Sequence, residues 1–116
     1  MKIAFHSLNC LFDPVSGAAM SVRTQLEGLA ARGHEVHSVT AACFDSPDHQ
    51  DEGNMLTSVG FDEAAGCWQR VSNGVTHTAQ LAGASGLADL KYDQLAHSAR
   101  SSLDVLEAFS PDVLVS

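Results

Sequence analysis

Apolar residues in this chain follow two rhythms. Short solid runs of strand length alternate with longer stretches of helical spacing. Ile3, Ala4 and Phe5, extending to Leu8, make the first run. A compact run without strict alternation suits a buried strand of a parallel sheet. It ends in Asn9-Cys10-Leu11-Phe12-Asp13-Pro14-Val15-Ser16-Gly17, where Asp, Pro, Ser and Gly mark a loop. From about Ala18 to Arg32 the pattern changes: Val22, Leu26, Leu29 and Gly33 recur at intervals of four, three and four, one face of a helix. Ser16 or Ser21 can cap its start, and Gly33 supplies a left-handed stop. Gly28 inside the helix costs about 1 kcal/mol against alanine, tolerable if a small residue brings the helix close to the sheet. Val36, Val39 and Thr40 then predict a second strand, about Glu35 to Ala41. Strand, loop, helix, tight turn and strand make a right-handed crossover unit.

Beyond it, residues 45–54 are polar and acidic and read as a surface loop. Met55 to Phe61 suits a short strand. Trp68–Val71 and Val75–Gln80 flank Ser72-Asn73-Gly74, and Asn-Gly between such runs predicts a hairpin or strand addition. Residues 82–91, rich in Gly, Ala and Ser, fit no element clearly. A second helix spans Tyr92 to Phe109, with Tyr92, Leu95, Ala99, Leu103, Leu106 and Phe109 on one face. Pro111 ends it, and Asp112 to Ser116 opens another buried strand. Stopping there leaves an apolar strand at an edge. The pattern therefore predicts a truncated α/β domain with a mostly parallel sheet. Val113-Leu114-Val115 should drive self-association.

The 116 residues suffice for one domain with a real core. Fourteen Asp and Glu against six Lys and Arg give a formal charge of −8. The basic residues are scattered, so the footprint needed for nucleic acid is missing and anionic lipid is disfavoured. Three cysteines, Cys10, Cys43 and Cys67, with no CxxC pair, form neither a disulfide framework nor a structural zinc site. Free thiols suit a reducing cytosol. No apolar stretch is long enough for a transmembrane segment, and the N-terminal run is too quickly broken for a signal peptide.

Met1-Lys2-Ile3-Ala4-Phe5, Ser16-Gly17-Ala18-Ala19 and Leu29-Ala30-Ala31-Arg32-Gly33-His34-Glu35-Val36 resemble the opening of family 4 glycosyltransferases, retaining enzymes of the GT-B fold. Phe109-Ser110-Pro111-Asp112-Val113-Leu114-Val115 resembles their "PDVV" strand. The likeness covers residues 1–41 and 105–116 and is loose between them. It implies that residues 1–116 are an incomplete, Rossmann-like, three-layer N-terminal domain, the acceptor side of the enzyme. It also implies a nucleotide-sugar donor, a glycan or glycolipid acceptor, and polysaccharide or glycolipid assembly in the cytoplasm or at the inner membrane face. No cofactor and no metal are called for. In that family most donor-binding groups, including the basic residues and paired glutamates, lie in a second domain, and an N-domain histidine follows the fourth strand. This chain contains neither, so the segment alone should be inactive. Two departures stand out: the family's Gly-Gly is Ser16-Gly17 here, and a frequent Glu is Ala19, which removes a polar contact.

Open α/β sheets bind ligands at the C-terminal strand ends. The loop Asn9 to Gly17 sits at that rim, and the following helix offers free N–H groups to phosphate. Ser16, Gly17 and Ala18 are therefore candidate substrate-binding residues, against the plainer reading of a tight turn before a crossover helix. His6, near the same rim, is the histidine to test as a cleft residue. His34 suits a turn, one of His6 and His37 suits a buried hydrogen-bonded position, and His49, His77 and His97 lack ligand spacing. Asp48, Asp51 and Glu52 suit a solvated loop, Cys10 a small packing residue, and Trp68 a hairpin packing residue before a sugar platform. Two other functions fit the pattern: a non-catalytic α/β module supporting a separate catalytic subunit, and a sugar-nucleotide epimerase-like domain. The missing GxGxxG argues against dinucleotide binding.

Overall fold

Strands and helices alternate because the two hydrophobic rhythms alternate. The computed structural model describes residues 1–44, 51–64, 67–81 and 91–116. Its elements are β1 Lys2–Asn9, α1 Gly17–Ala31, β2 Glu35–Cys43, α2 Glu52–Ser58, β3 Asp62–Ala64, β4 Cys67–Ser72, β5 Val75–Gln80, α3 Tyr92–Phe109 and β6 Val113–Val115. The six strands form one sheet in the order β3-β4-β5-β2-β1-β6. β5, β2, β1 and β6 run parallel, while β3 and β4 are added by antiparallel pairing. The fold is α/β with a mixed, mostly parallel sheet.

Helix α1 is held at both ends by its own sequence. Ser16, rather than Ser21, is the cap: its Oγ accepts from the Ala19 amide at 3.1 Å. At the other end Gly33 takes φ +94°, its amide donating to Ala30 O at 3.0 Å and that of His34 to Leu29 O at 3.3 Å. This is the Schellman pair that only a left-handed residue completes cheaply. Between the ends, Ala19 and Leu26, helped by Val22 and Leu29, bury against Ile3, Val36 and Val75. Gly28 does not bring the helix closer, because it is exposed and a Cβ there would meet nothing within 4 Å.

Successive strand residues face opposite sides of a sheet. Ala4 and Val39 accordingly look away from α1, and Val105, Leu106 and Phe109 of α3 cover them. The two long helices thus lie on opposite faces. The β4–β5 hairpin turns through Asn73 and Gly74, both at positive φ (49° and 84°), as a two-residue type I′ turn requires.

Two expectations need correction. Met55–Phe61 is not a strand. Asp51 caps a helix there, accepting from the Asn54 amide at 3.3 Å, and Met55 and Leu56 pack one turn against Phe44 and Phe61. Residues 51–54 therefore begin α2 rather than ending a loop, and residues 45–50 and 82–90 lie outside the described set. The buried face of α3 is also rotated. Tyr92 is 87% and Leu103 54% exposed, whereas Ser98 and Ser102 are buried beside Leu106. Small serines let the helix lie close on the sheet, turning the larger side chains outward. The side chain of Leu95 lies outside the described set.

β6 is pinned by its first neighbours. The Lys2 amide donates to Asp112 Oδ2 and the Asp112 amide to Lys2 O, both at 2.8 Å. Lys2 Nζ reaches Phe109 O at 3.2 Å. The strand itself is bare: Val113, Leu114 and Val115 are all exposed. The opposite edge, β3, carries exposed Asp62 and Glu63, charges that discourage edge pairing.

Two predictions follow from this packing. Leu114→Lys should abolish concentration-dependent association in sedimentation velocity, and association that survives it would place the contact elsewhere. In urea titrations Gly28→Ala should stabilise the chain by about 0.5–1 kcal/mol, and Gly33→Ala should destabilise it by about 1 kcal/mol.

Candidate functional site

β1 and β6 are neighbours, yet α1 leaves β1 on one face and α3 reaches β6 along the other. Open α/β sheets bind ligands at the C-terminal strand ends, and the β1–α1 loop lies at that end of β1. Asn9 ties the loop down, its Nδ2 donating to Asp13 Oδ2 at 2.8 Å and to Cys43 O at 3.1 Å. Asp13 is buried and accepts from the Val15 amide at 3.1 Å through Oδ1, while its carbonyl receives the Ser16 amide at 3.4 Å. These bonds tie the loop to itself and to the end of β2.

A pocket of about 160 Å³ lies beside this loop, lined by Phe5, Ser7, Asn9, Leu11, Ala18, Ala19 and Val22. Its wall is mostly carbon. It is smaller than the roughly 300 Å³ at which small-molecule sites begin, so it suits one part of a larger cleft.

Of the residues singled out in the sequence, Ser16, Gly17 and Ala18 gather at this rim. Ala18 lines the pocket, but the Ser16 hydroxyl is spent on the Ala19 amide. Gly17 is exposed, and a Cβ there would touch nothing within 4 Å, so its backbone does not demand glycine. The amides of Gly17 and Ala18 precede the first intrahelical bond and stay available. His6 is not brought to them. It follows Phe5 by one residue and so projects to the α3 face, half-buried, with its pKa lowered by burial. Sequence reasoning missed Asn9 and Asp13. An Asn and an Asp-Pro just after a strand were the available signal, and they were read as loop punctuation only.

The other candidates are structural. Burial pushes the Cys10 thiol up to about 12 and Cys43 to about 11, far from a thiolate nucleophile. Trp68 packs against the cluster of Phe12, Phe44 and Phe61. Asp51 caps α2 and Glu52 sits in its first turn, while Asp48 and His49 lie outside the described residues. Among the described residues, no group of three His, Cys, Asp or Glu converges as a metal ion needs, and no helix is long and apolar enough to cross a membrane.

Among the described residues the most deeply buried histidine is His77. It is 1% exposed, with Nδ1 2.6 Å from Ser38 Oγ and the Phe12 ring edge-on at 4.7 Å. Ser38 is equally buried, so the pair cannot meet a substrate. Burial, with smaller contributions from Arg23, Arg70 and His37, pulls the His77 pKa down to about 4. His37 is lowered by burial too, against an opposing pull from Glu35; its Nε2 lies 2.7 Å from Thr78 Oγ1. The chain matches no protein-family model, no curated protein and no solved structure.

A pH dependence of stability results. The folded pKa of His77 lies below the unfolded value of 6.5, so the fold favours neutral imidazole. Its stabilisation is complete above pH 6.5 and is lost as pH falls towards 4. Between pH 7.5 and 5 urea titrations should show a loss of about 2 kcal/mol from this group. His77→Gln should remove most of the slope, leaving what His6 and His37 contribute with the same sign. An unchanged slope would assign the effect to other groups.

Proposed function

We propose that this chain is the N-terminal, Rossmann-like domain of a retaining glycosyltransferase of the GT-B, family 4 type. In this reading it supplies the acceptor-side wall of a nucleotide-sugar cleft, and the enzyme works at the cytoplasmic face of glycan or glycolipid assembly. One observation carries the proposal: the pocket between the C-terminal end of β1, the β1–α1 loop and the start of α1. The first-turn amides and the positive end of the helix suit the charged diphosphate of a donor, and the carbon-lined pocket suits a sugar face or an acceptor's apolar part. Of the segments that resemble the family, those on β1 and at the start of α1 contribute Phe5, Ala18 and Ala19 to the pocket lining. Ser7, whose hydroxyl donates to Asn9 O at 2.9 Å, and Asn9 are the polar residues of the pocket lining.

NMR titration tests this. Half a cleft binds weakly, so UDP-glucose, GDP-mannose and octyl glucoside are added to millimolar concentration. The expected result is amide shifts confined to Ser7, Asn9 and Gly17–Ala19, lost in Ala18→Trp, which fills the pocket from its exposed side. Shifts absent from this region, or unaffected by Ala18→Trp, would sink the proposal.

A further inference from the structure

The pocket beside the β1–α1 loop has no side-chain hydrogen-bond donor left to offer. Only Ser7 and Asn9 of its lining carry polar side chains. The Ser7 hydroxyl donates its one proton to Asn9 O at 2.9 Å. Both Nδ2 hydrogens of Asn9 are engaged as well, one with Asp13 Oδ2 at 2.8 Å and one with Cys43 O at 3.1 Å. A hydroxyl has one donor and a carboxamide two, so every side-chain donor of the lining is taken. Of the two lining residues at the start of α1, the Ala19 amide is held by Ser16 Oγ at 3.1 Å and the Ala18 amide is left. A buried pyranose would bring several hydroxyls, each needing a partner of its own. The lining side chains offer their oxygens no donor, and the start of α1 offers one.

Carbon continues beyond the pocket. Phe5 of the lining pairs in register with Val115 of β6, and Ile3 pairs with Val113. Paired residues of neighbouring strands point to the same face, so both valines lie on the face that carries Phe5 and α1. Val113 is 41% and Val115 46% exposed. The apolar surface of the pocket therefore runs on from Phe5 along the edge strand. Leu114, between the two valines, faces the other side of the sheet.

We propose that this pocket is a subsite for the hydrocarbon chain of an amphiphile, continued by Val115 on β6. A methylene chain asks for no hydrogen bond and gains by leaving water, so a lining without free donors is no penalty to it. At about 160 Å³ the pocket takes only the first part of such a chain, and the exposed valines give the rest an apolar surface. The Ala18 amide is left for one polar atom of the head group. The proposal rests on the glycosyltransferase reading only in calling this chain part of the acceptor.

Methyl-resolved NMR titrations with glucose and with hexyl, heptyl and octyl glucoside, each below its micelle concentration, test the subsite. The alkyl glucosides should shift the methyls of Ala18, Ala19 and Val22, and glucose should shift none of them. Affinity should rise about fourfold for each added methylene that finds cover. Octyl maltoside should bind as octyl glucoside does, because the chain and not the head is held. Val115→Ser, at an exposed position, should flatten the rise towards octyl while hexyl glucoside still binds. Affinity independent of chain length, glucose binding as tightly as octyl glucoside, or shifts confined to other surfaces overturns the proposal. UDP-glucose and GDP-mannose are read separately. If they shift nothing while the chain-length dependence holds, the glycosyltransferase reading falls and the subsite stands; the reverse pattern sinks the subsite alone.

Discussion

A parallel strand cannot be reached by a hairpin, and most of this molecule follows from that constraint. Each return to the parallel sheet needs a crossover, and β1 lies between the two that matter. It pairs with β2 along almost its whole length and with β6 over Ile3–Phe5. The first crossover covers one face with α1 and the second covers the other with α3. β1 is thereby buried at Ile3 and Ala4, and the loop that leaves it leads into α1.

That loop is shaped by hydrogen bonds rather than by apolar packing alone. Asn9 bridges to β2 through Cys43 O and to Asp13 across the loop. Asp13 in turn holds Val15 and Ser16, and Ser16 starts α1. The chain of contacts couples the end of two strands to the first turn of the helix.

On the β5 side the same loop drops Phe12 onto the core. There the ring joins Phe61, His77 and two arginines, so apolar packing, a neutral buried imidazole and two cations share one small volume.

Local chemistry was legible in the residues. The Gly33 stop, the Ser16 cap, the Asn73-Gly74 hairpin turn and the limits of α3 each rest on contacts within a few positions, so their amino acids determine them. α2 was missed because its one buried turn, Met55-Leu56, is too short to show a helical period, and its Asp51 cap was read as part of an acidic loop. The rotated face of α3 was missed because serine does not look like a core residue until a sheet lies against it. Asn9 with Asp13, Phe12 with its arginines, and the burial of His77 depend on residues far apart in the chain. The sequence by itself determined the α/β order of elements and where most of them start and stop, since those are short-range choices. Only the tertiary structure decided strand order, the face each helix covers and which polar groups meet, because these depend on which distant surfaces are buried together.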